Sequence, residues 1–462
     1  MPDNQSHETY DLIVLGSGPA GQSIAMGAAQ AGRRVLMVEK RELGGTCALR
    51  GCNPKKALVQ AARIHDANRR MRLKLDGSTL PALQWSTLKT FMDGFTDPVP
   101  SNTRDKLTAA GIDIEIGSPR LLNENSLKVA KQTFSFERLA IAVGAKPSEL
   151  PFEGSELLWT SDEFLQLREL PRRILFIGGG YISMEFAHVV LACGKQPTVL
   201  ERGRHVLEGF DPKLADILRD DSAASGVIYR MGQTVRSVRQ AADGFEVQFA
   251  ASDDGVVMPS NMPPHETFDL VVHGAGRTAN LDGLDLDRAN VKTTGRGIKV
   301  DSRGQSHANP RIFAAGDCAD TGLAPLTTTA NLEAETVLHG ILNPRAVESL
   351  GDPPIAKVAF TPVPIAAVGV LESEAAADIR VRRGNHSSWG SMRKTHQPCA
   401  GHCILIGDDG RIMGAHLLGP HADEQINVFV AAMHGGLTED EVGKCLFGYP
   451  TGGSDIRRML DT

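Results

Sequence analysis

The first clear hydrophobic block along the chain, Leu12 to Leu15, reads as a strand and ends at Gly16-x-Gly18-x-x-Gly21. A helix-like stretch follows, and a second apolar strand closes at Glu39. In such a unit the glycines give a tight turn, let backbone approach a pyrophosphate, and pack helix on strand. The pyrophosphate sits at the helix N-terminus, where unpaired N–H groups and the dipole favour an anion. Glu39 falls where an acid accepts hydrogen bonds from a ribose. The pattern returns over 173–201, with Gly178-x-Gly180-x-x-Ser183 opening the helix and Glu201 ending the next strand. Serine for the third glycine still allows close packing. Two such units predict an α/β protein with two Rossmann-like, doubly wound domains that hold two nucleotides.

Gly/Pro punctuation in AVGAKPSELPFEG (142–154) and NPRAVESLGDPP (343–354) marks two domain crossings. The polar, proline-rich stretch 251–265 reads as an exposed loop before a strand at 269–272. The length of 462 residues corresponds to about three domains at ~150 residues each. An apolar fraction of 41% and a charged fraction of 23% are those of a soluble globular chain. A net charge of −6 gives no reason to expect nucleic acid or an anionic membrane as partner. No stretch approaches the roughly 18 apolar residues of a membrane helix. The polar start MPDNQSHETY lacks the pattern of a signal peptide. A cytoplasmic protein is expected.

Seven cysteines in a chain this long do not form a disulfide framework. Cys47 and Cys52, in GGTCALRGCNPKK (44–56), stand close together. A stable staple is not expected in a reducing compartment. A zinc site usually needs a second pair at similar spacing. Cys399 and Cys403 with His402 are the one alternative pair, but Cys403 lies in the strand-like run HCILIG and reads as a buried small hydrophobe. No metal site is expected, and redox chemistry is the option that remains for Cys47 and Cys52.

GGTCALRGC, the two glycine fingerprints, GAGRTAN (274–280) and IFAAGDCAD (312–320) together resemble the pyridine nucleotide–disulfide oxidoreductases. That family includes glutathione reductase, dihydrolipoamide dehydrogenase and mercuric reductase, and the likeness runs from about residue 10 to the C-terminus. The resemblance implies FAD in the first fold, NADH or NADPH in the second, and a C-terminal α+β interface domain in a homodimer. The implied domains are 1–148 (FAD), 149–273 (NAD(P)), 274–346 (FAD domain, continued) and 347–462 (interface). FAD would be held by Gly16, Gly18, Gly21, Glu39, Thr46, Gly144 and Asp317, although Asp317 also reads as a helix N-cap. NAD(P) would be held by Gly178, Gly180, Tyr181, Glu201, Arg202 and Gly276.

The same resemblance makes Cys47–Cys52 a redox-active disulfide. Cys52 would be the sulfur nearest the flavin, and Cys47 the interchange thiol that attacks substrate. Cys52 is expected to open a helix whose N-terminus favours thiolate. Lys55 or Lys56 would reach flavin N5 and pair with Glu185, the alternative being a solvated helix face. Tyr181 would cover the nicotinamide pocket, or simply pack there. Glu201 favours NADH, while Arg202 and Arg204 are residues that hold a 2′-phosphate. NADPH-specific members lack the acid and usually carry a second arginine where Glu208 stands, so NADH is the expectation, resting mainly on Glu201.

One region departs from the family. Disulfide-reducing members carry a C-terminal histidine oriented by a glutamate. Here the run is GYPTGGSD (448–455), with Tyr449 and Asp455 at those places and an extra glycine before Ser454. A positioned acid–base contributes ~10²–10⁴-fold. Free tyrosine titrates near pH ~10 and histidine near ~6.5, so Tyr449 suits proton donation to a leaving thiolate and not proton removal from a dithiol. Mercuric reductase shares the tyrosine but uses a C-terminal cysteine pair, whereas no cysteine follows Cys445 here. Cys445 itself reads as a buried residue at a helix end. The expected activity is FAD-dependent reduction of a small disulfide, glutathione reductase-like. The competing readings are the same core serving a metal ion, quinone or O₂, a dihydrolipoamide dehydrogenase, and a lipoyl-complex subunit or redox-sensing binding protein.

Overall fold

A computed structural model of the chain describes residues 8–75, 80–252, 263–345 and 349–461. Residues 1–7 of the polar N-terminal run, 253–262 of the expected exposed loop and 346–348 of the last crossing lie outside the described residues. The chain forms two compact units, Met1–Pro54 with Asp93–Ser148 and Arg277–Asp352, and Lys55–Met92 with Glu149–Gly276 and Pro353–Thr462.

The first unit is built on five parallel strands in the order Asp113–Ile116, Val35–Glu39, Glu8–Leu15, Gln132–Ile141 and Ile312–Ala314. Successive side chains of a strand point to opposite faces, so one apolar run feeds two cores. Leu12 and Val14 join Met37, Ala140 and Phe313 in one core, while Ile13 and Leu15 join Leu36, Leu139 and Ile141 in the other. Continuous apolar runs are what a parallel sheet covered on both faces requires. Helix Pro19–Gln30 packs on helix Thr327–Leu342. The antiparallel strands Pro119–Asn123 and Ser126–Val129 extend the sheet along the first half of Gln132–Ile141.

The second unit repeats the parallel plan with Ile228–Met231, Gln196–Glu201, Arg173–Ile177 and Leu270–His273. The last of these is the strand expected at 269–272. Helix Tyr181–Ala192 is buried continuously from Ser183 to Val190, as its nearly all-apolar circumference demands. A three-stranded antiparallel meander follows, Gln233–Ala241, Gly244–Ala251 and His265–Phe268. The C-terminal segment forms an antiparallel sheet ordered Lys357–Ala359, Ile365–Gly369, Ile412–Leu418, Gly401–Ile406 and Arg380–Asn385. Helix Ala422–His434 covers it. The mixed α/β class and the α+β C-terminal segment are those expected from the sequence.

Cys403 lies inside strand Gly401–Ile406 and is fully buried, consistent with its reading as a core residue. Its sulfur accepts from Arg383 Nη2 at 3.1 Å, and the same nitrogen donates to Asp211 (2.8 Å) and Glu372 (2.5 Å). An arginine therefore fills the centre of this polar node. Among the described residues no helix is long and apolar enough to cross a membrane.

Candidate active site

In the first unit, strand Glu8–Leu15 turns into helix Pro19–Gln30 through Gly16, whose φ of +97° is a left-handed conformation. A Cβ on Gly16 would come within 2.4 Å of the Ala142 carbonyl oxygen, so both conformation and space call for glycine. The helix starts at Gly18 with no side-chain cap, which leaves its first N–H groups available to an anion. Glu39, at the end of the second strand, accepts from Ser17 N (2.9 Å), Ser17 Oγ (2.6 Å) and Arg41 N (3.0 Å). Ser17 Oγ in turn accepts from Gly44 N at 3.0 Å. This chain of bonds ties the cysteine-bearing loop to the glycine turn. A Cβ on Gly45 would lie 2.3 Å from Gly18 Cα, a second measure of how closely the two segments pack.

Gly144 follows strand Gln132–Ile141 in the same unit, and its carbonyl accepts from Asn280 N at 2.9 Å. Burial pushes the Asp317 carboxyl above its ordinary range, against the downward pull of Arg277 and of its own backbone N–H. Asp317 caps no helix, which corrects the alternative reading. The next helix begins ten residues on at Thr327, with Leu326 as its N-cap. An uncapped helix start, a strand-end acid and a half-buried acid that can accept from hydroxyls form a donor–acceptor set that fits a dinucleotide such as FAD.

Cys47 lies in the short helix Gly45–Leu49, and Cys52 is the first residue of helix Cys52–Leu75, as expected. Thr46, beside Cys47, is exposed. Both cysteines are in the thiol form. Cys47 contacts the Cys52 thiol, and this contact together with burial drives its pKa upward. Thr327 opposes that rise, donating from Oγ1 to Cys47 Sγ at 3.2 Å. The same hydroxyl is 3.7 Å from Cys52 Sγ. Thr327 carried no signal in the sequence, because LTTTAN reads as an ordinary helix start. Arg50, between the cysteines, forms a 2.8 Å ion pair with Glu42.

The second unit has its own glycine turn, Gly178 to Gly180, with Gly180 as an uncapped helix start. Glu201 accepts from Gly179 N and from Gly203 N, each at 2.7 Å. Arg202, Arg204 and Glu208 are exposed on the loop that follows. Gly276 follows strand Leu270–His273. Lys55 and Lys56 have different environments. Lys55 Nζ is 2.5 Å from Glu185 Oε2, with side-chain exposures of 13% and 0%. Glu185 Oε1 accepts from Phe360 N at 2.8 Å. Lys55 also lies 5.4 Å from the ring centroid of Tyr181, at the start of the helix. Lys56 instead stands 3.4 Å over the Phe360 ring, and burial lowers its pKa. Of the two lysines, the fold brings Lys55 to Glu185, and neither is simply part of a solvated face.

The C-terminal run contrasts with these packed clusters. Tyr449 is 86% exposed and Leu446 99% exposed. Cys445 is exposed too, which corrects the expectation of a buried helix-end cysteine. It lies beyond the end of helix Glu439–Gly443, where its sulfur meets the Glu441 carbonyl at 3.6 Å. Asp455 is half-buried, and among the described residues no hydrogen bond joins it to Tyr449. The turn is held instead by Thr451 and Ser454, with Ser454 Oγ donating to Thr451 O at 2.6 Å.

Comparison with known proteins gives a consistent result. Residues 10–334 match the pyridine nucleotide-disulphide oxidoreductase family, and 355–460 match its dimerisation domain. The chain is 30% identical to a glutathione reductase of Burkholderia cepacia over 455 residues, 96% of each chain. It is 30% identical to dihydrolipoyl dehydrogenase 3 of Haloarcula marismortui (96% of this chain, 94% of that one). It is 28% identical to dihydrolipoyl dehydrogenase of Bacillus subtilis, covering 96% and 93%. The fold is also that of the HOCl-induced flavoprotein disulfide reductase RclA from Escherichia coli, at a TM-score of 0.85 and 23% identity over 98% of this chain and 99% of that one. The chain belongs to the pyridine nucleotide-disulphide oxidoreductase family, whose members are FAD-dependent enzymes that use NAD(P)H.

Proposed function

We propose that this enzyme reduces a small disulfide of the glutathione class, with Cys47 and Cys52 as its redox pair. The observation that carries the reading is the contact between the Cys47 and Cys52 thiols on a loop bonded to the first glycine turn. FAD, when bound, supplies the two-electron link between NAD(P)H and this pair. Cys47 thiolate attacks one sulfur of the substrate, forms a mixed disulfide and expels the other sulfur as thiolate. Cys52 thiolate then attacks Cys47, releases the second substrate thiol and closes the Cys47–Cys52 bond. The pair loses two electrons and the substrate gains two, with two protons needed by the product thiols. Tyr449 is the proton donor in this reading, and its phenol suits reduction more than dithiol oxidation.

Glu201 supports NADH as the preferred coenzyme, because its carboxylate would repel a 2′-phosphate. Lys55 is the cation of the family's lysine–glutamate pair, a role supported by its contact with Glu185. The match of 355–460 to a dimerisation domain supports a homodimer. A cytoplasmic location accords with the cysteine usage.

The replacement of the family's C-terminal histidine by Tyr449 favours a second reading, in which the core passes electrons to a metal ion or quinone. The test is steady-state oxidation of NADH and NADPH with glutathione disulfide, lipoamide and a quinone, in wild type and Cys47→Ser. The first reading expects fast disulfide turnover that Cys47→Ser abolishes. Turnover confined to quinone and retained in Cys47→Ser would replace it with the second.

A further inference from the structure

Helix Thr327–Leu342 carries an acid on its apolar face. Glu333 is 3% exposed and stands in line with Ala330, Ala334, Val337 and Ile341, which belong to a core of the first unit. Burying a carboxylate is costly unless its oxygens are hydrogen-bonded. Here each oxygen has a donor: Oε2 accepts from Gly316 N and Oε1 from Thr321 Oγ1, both at 2.5 Å. These two donors bracket Asp317 in the chain. We infer that Glu333 is a positioning residue that clamps the turn from Gly316 to Thr321 and so sets where the Asp317 carboxylate meets FAD. The inference rests on the reading that Asp317 accepts from a hydroxyl of FAD.

The turn leaves strand Ile312–Ala314 through Gly316, whose φ of +75° is left-handed. Cys318 is fully buried, and its sulfur donates to Ile141 O (3.3 Å) and Ala315 O (3.4 Å). Asp317 is thus the half-buried residue between one neighbour tied to the helix and another tied to the sheet. Burial raises the proton affinity of Glu333 and the charge of Asp317 adds to the rise, while the bonds from Thr321 and Gly316 oppose it. A second acid beside Asp317 is electrostatically unfavourable, and the pyrophosphate of FAD is an anion as well. Geometry explains the choice. A carboxylate offers an acceptor oxygen to each of two donors, whereas glutamine would turn an NH₂ donor on one of them.

The test is the FAD dissociation constant of the full-length holoenzyme, read from the fluorescence of flavin released on dilution, with circular dichroism as the check on folding. Wild type is compared with Asp317→Ala, Glu333→Gln, the double variant, Thr321→Val and Thr321→Ser. Asp317→Ala and Glu333→Gln should each weaken FAD about tenfold, the size of one hydrogen bond to a charged group. The double variant should stay within about twofold of Asp317→Ala, because residues that act through one contact are not additive. Thr321→Val should weaken FAD severalfold, and Thr321→Ser, which keeps the hydroxyl, should stay within about twofold of wild type. Unchanged or tighter FAD in Glu333→Gln overturns the inference, tighter binding being what removal of a negative charge alone would give. Losses that add in the double variant also overturn it. Where Glu333→Gln lacks the wild-type helix signal, the Thr321 variants decide, and Thr321→Val at wild-type affinity overturns the inference. Unchanged FAD in Asp317→Ala overturns instead the reading on which the inference rests.

Discussion

The two glycine turns start from the same plan and differ at four matched positions. In the first unit the third fingerprint position is Gly21, where a Cβ would sit 1.9 Å from the Gly16 carbonyl oxygen. In the second it is Ser183, accommodated because the strand Leu270–His273 is followed by Gly274. A Cβ on Gly274 would lie 2.0 Å from Ser183 Oγ, and the corresponding residue of the first unit, Ala142, has one. The side-chain bulk has moved from strand end to helix. A fingerprint is therefore a statement about a pair of facing segments, not about one segment alone.

The strand-end acids differ in what they organise. Glu39 holds Ser17, and Ser17 Oγ holds Gly44, so the first turn anchors the cysteine loop. Glu201 holds Gly179, which has no side chain, and closes instead on its own loop at Gly203. The helices differ as well. Ser23 of the first corresponds to Glu185 of the second, and Glu185 forms a buried pair with Lys55. One turn carries the sulfur pair, and the other carries a buried charge.

Substitutions at both turns test this contrast, the first having the largest effect. Gly21→Ser forces a side chain onto backbone that cannot yield, so the first unit should lose bound flavin and much of its thermal stability. Ser183→Gly should cost only about 1 kcal/mol, the usual penalty of glycine in a helix. Equal tolerance of the two would break the comparison. Lys55→Met removes the counter-charge of the buried Glu185 carboxylate, a loss of ~3–5 kcal/mol in urea unfolding. Adding Glu185→Gln removes the uncompensated charge and should restore part of it. Ser17→Ala removes the acceptor for the buried Gly44 N–H, a cost of ~1–3 kcal/mol. It should also speed alkylation of the cysteine loop, and an unchanged rate would mean the loop is held elsewhere.

Much of the site was legible because it is local. Gly16, Gly18 and Glu39 lie in one strand–turn–helix–strand unit, where the spacing of glycines and acid follows from chain geometry. Cys52 at a helix start was legible for the same reason. The exposed Cys445 was misread, since a short apolar stretch such as CLFGY does not reveal whether anything covers it.

The sequence by itself determined the α/β class, the two nucleotide turns, the cysteine pair and the departure at Tyr449, all of which are patterns of neighbours. The tertiary structure alone decided that Lys55 rather than Lys56 meets Glu185, that Phe360 N shares that carboxylate, and that Thr327 reaches a sulfur 280 residues away. Adjacent helix residues point about 100° apart, so only one lysine can face a given partner, and packing sets which one. A bond spanning 280 residues depends on where the sheet order returns the chain, and no local pattern encodes that.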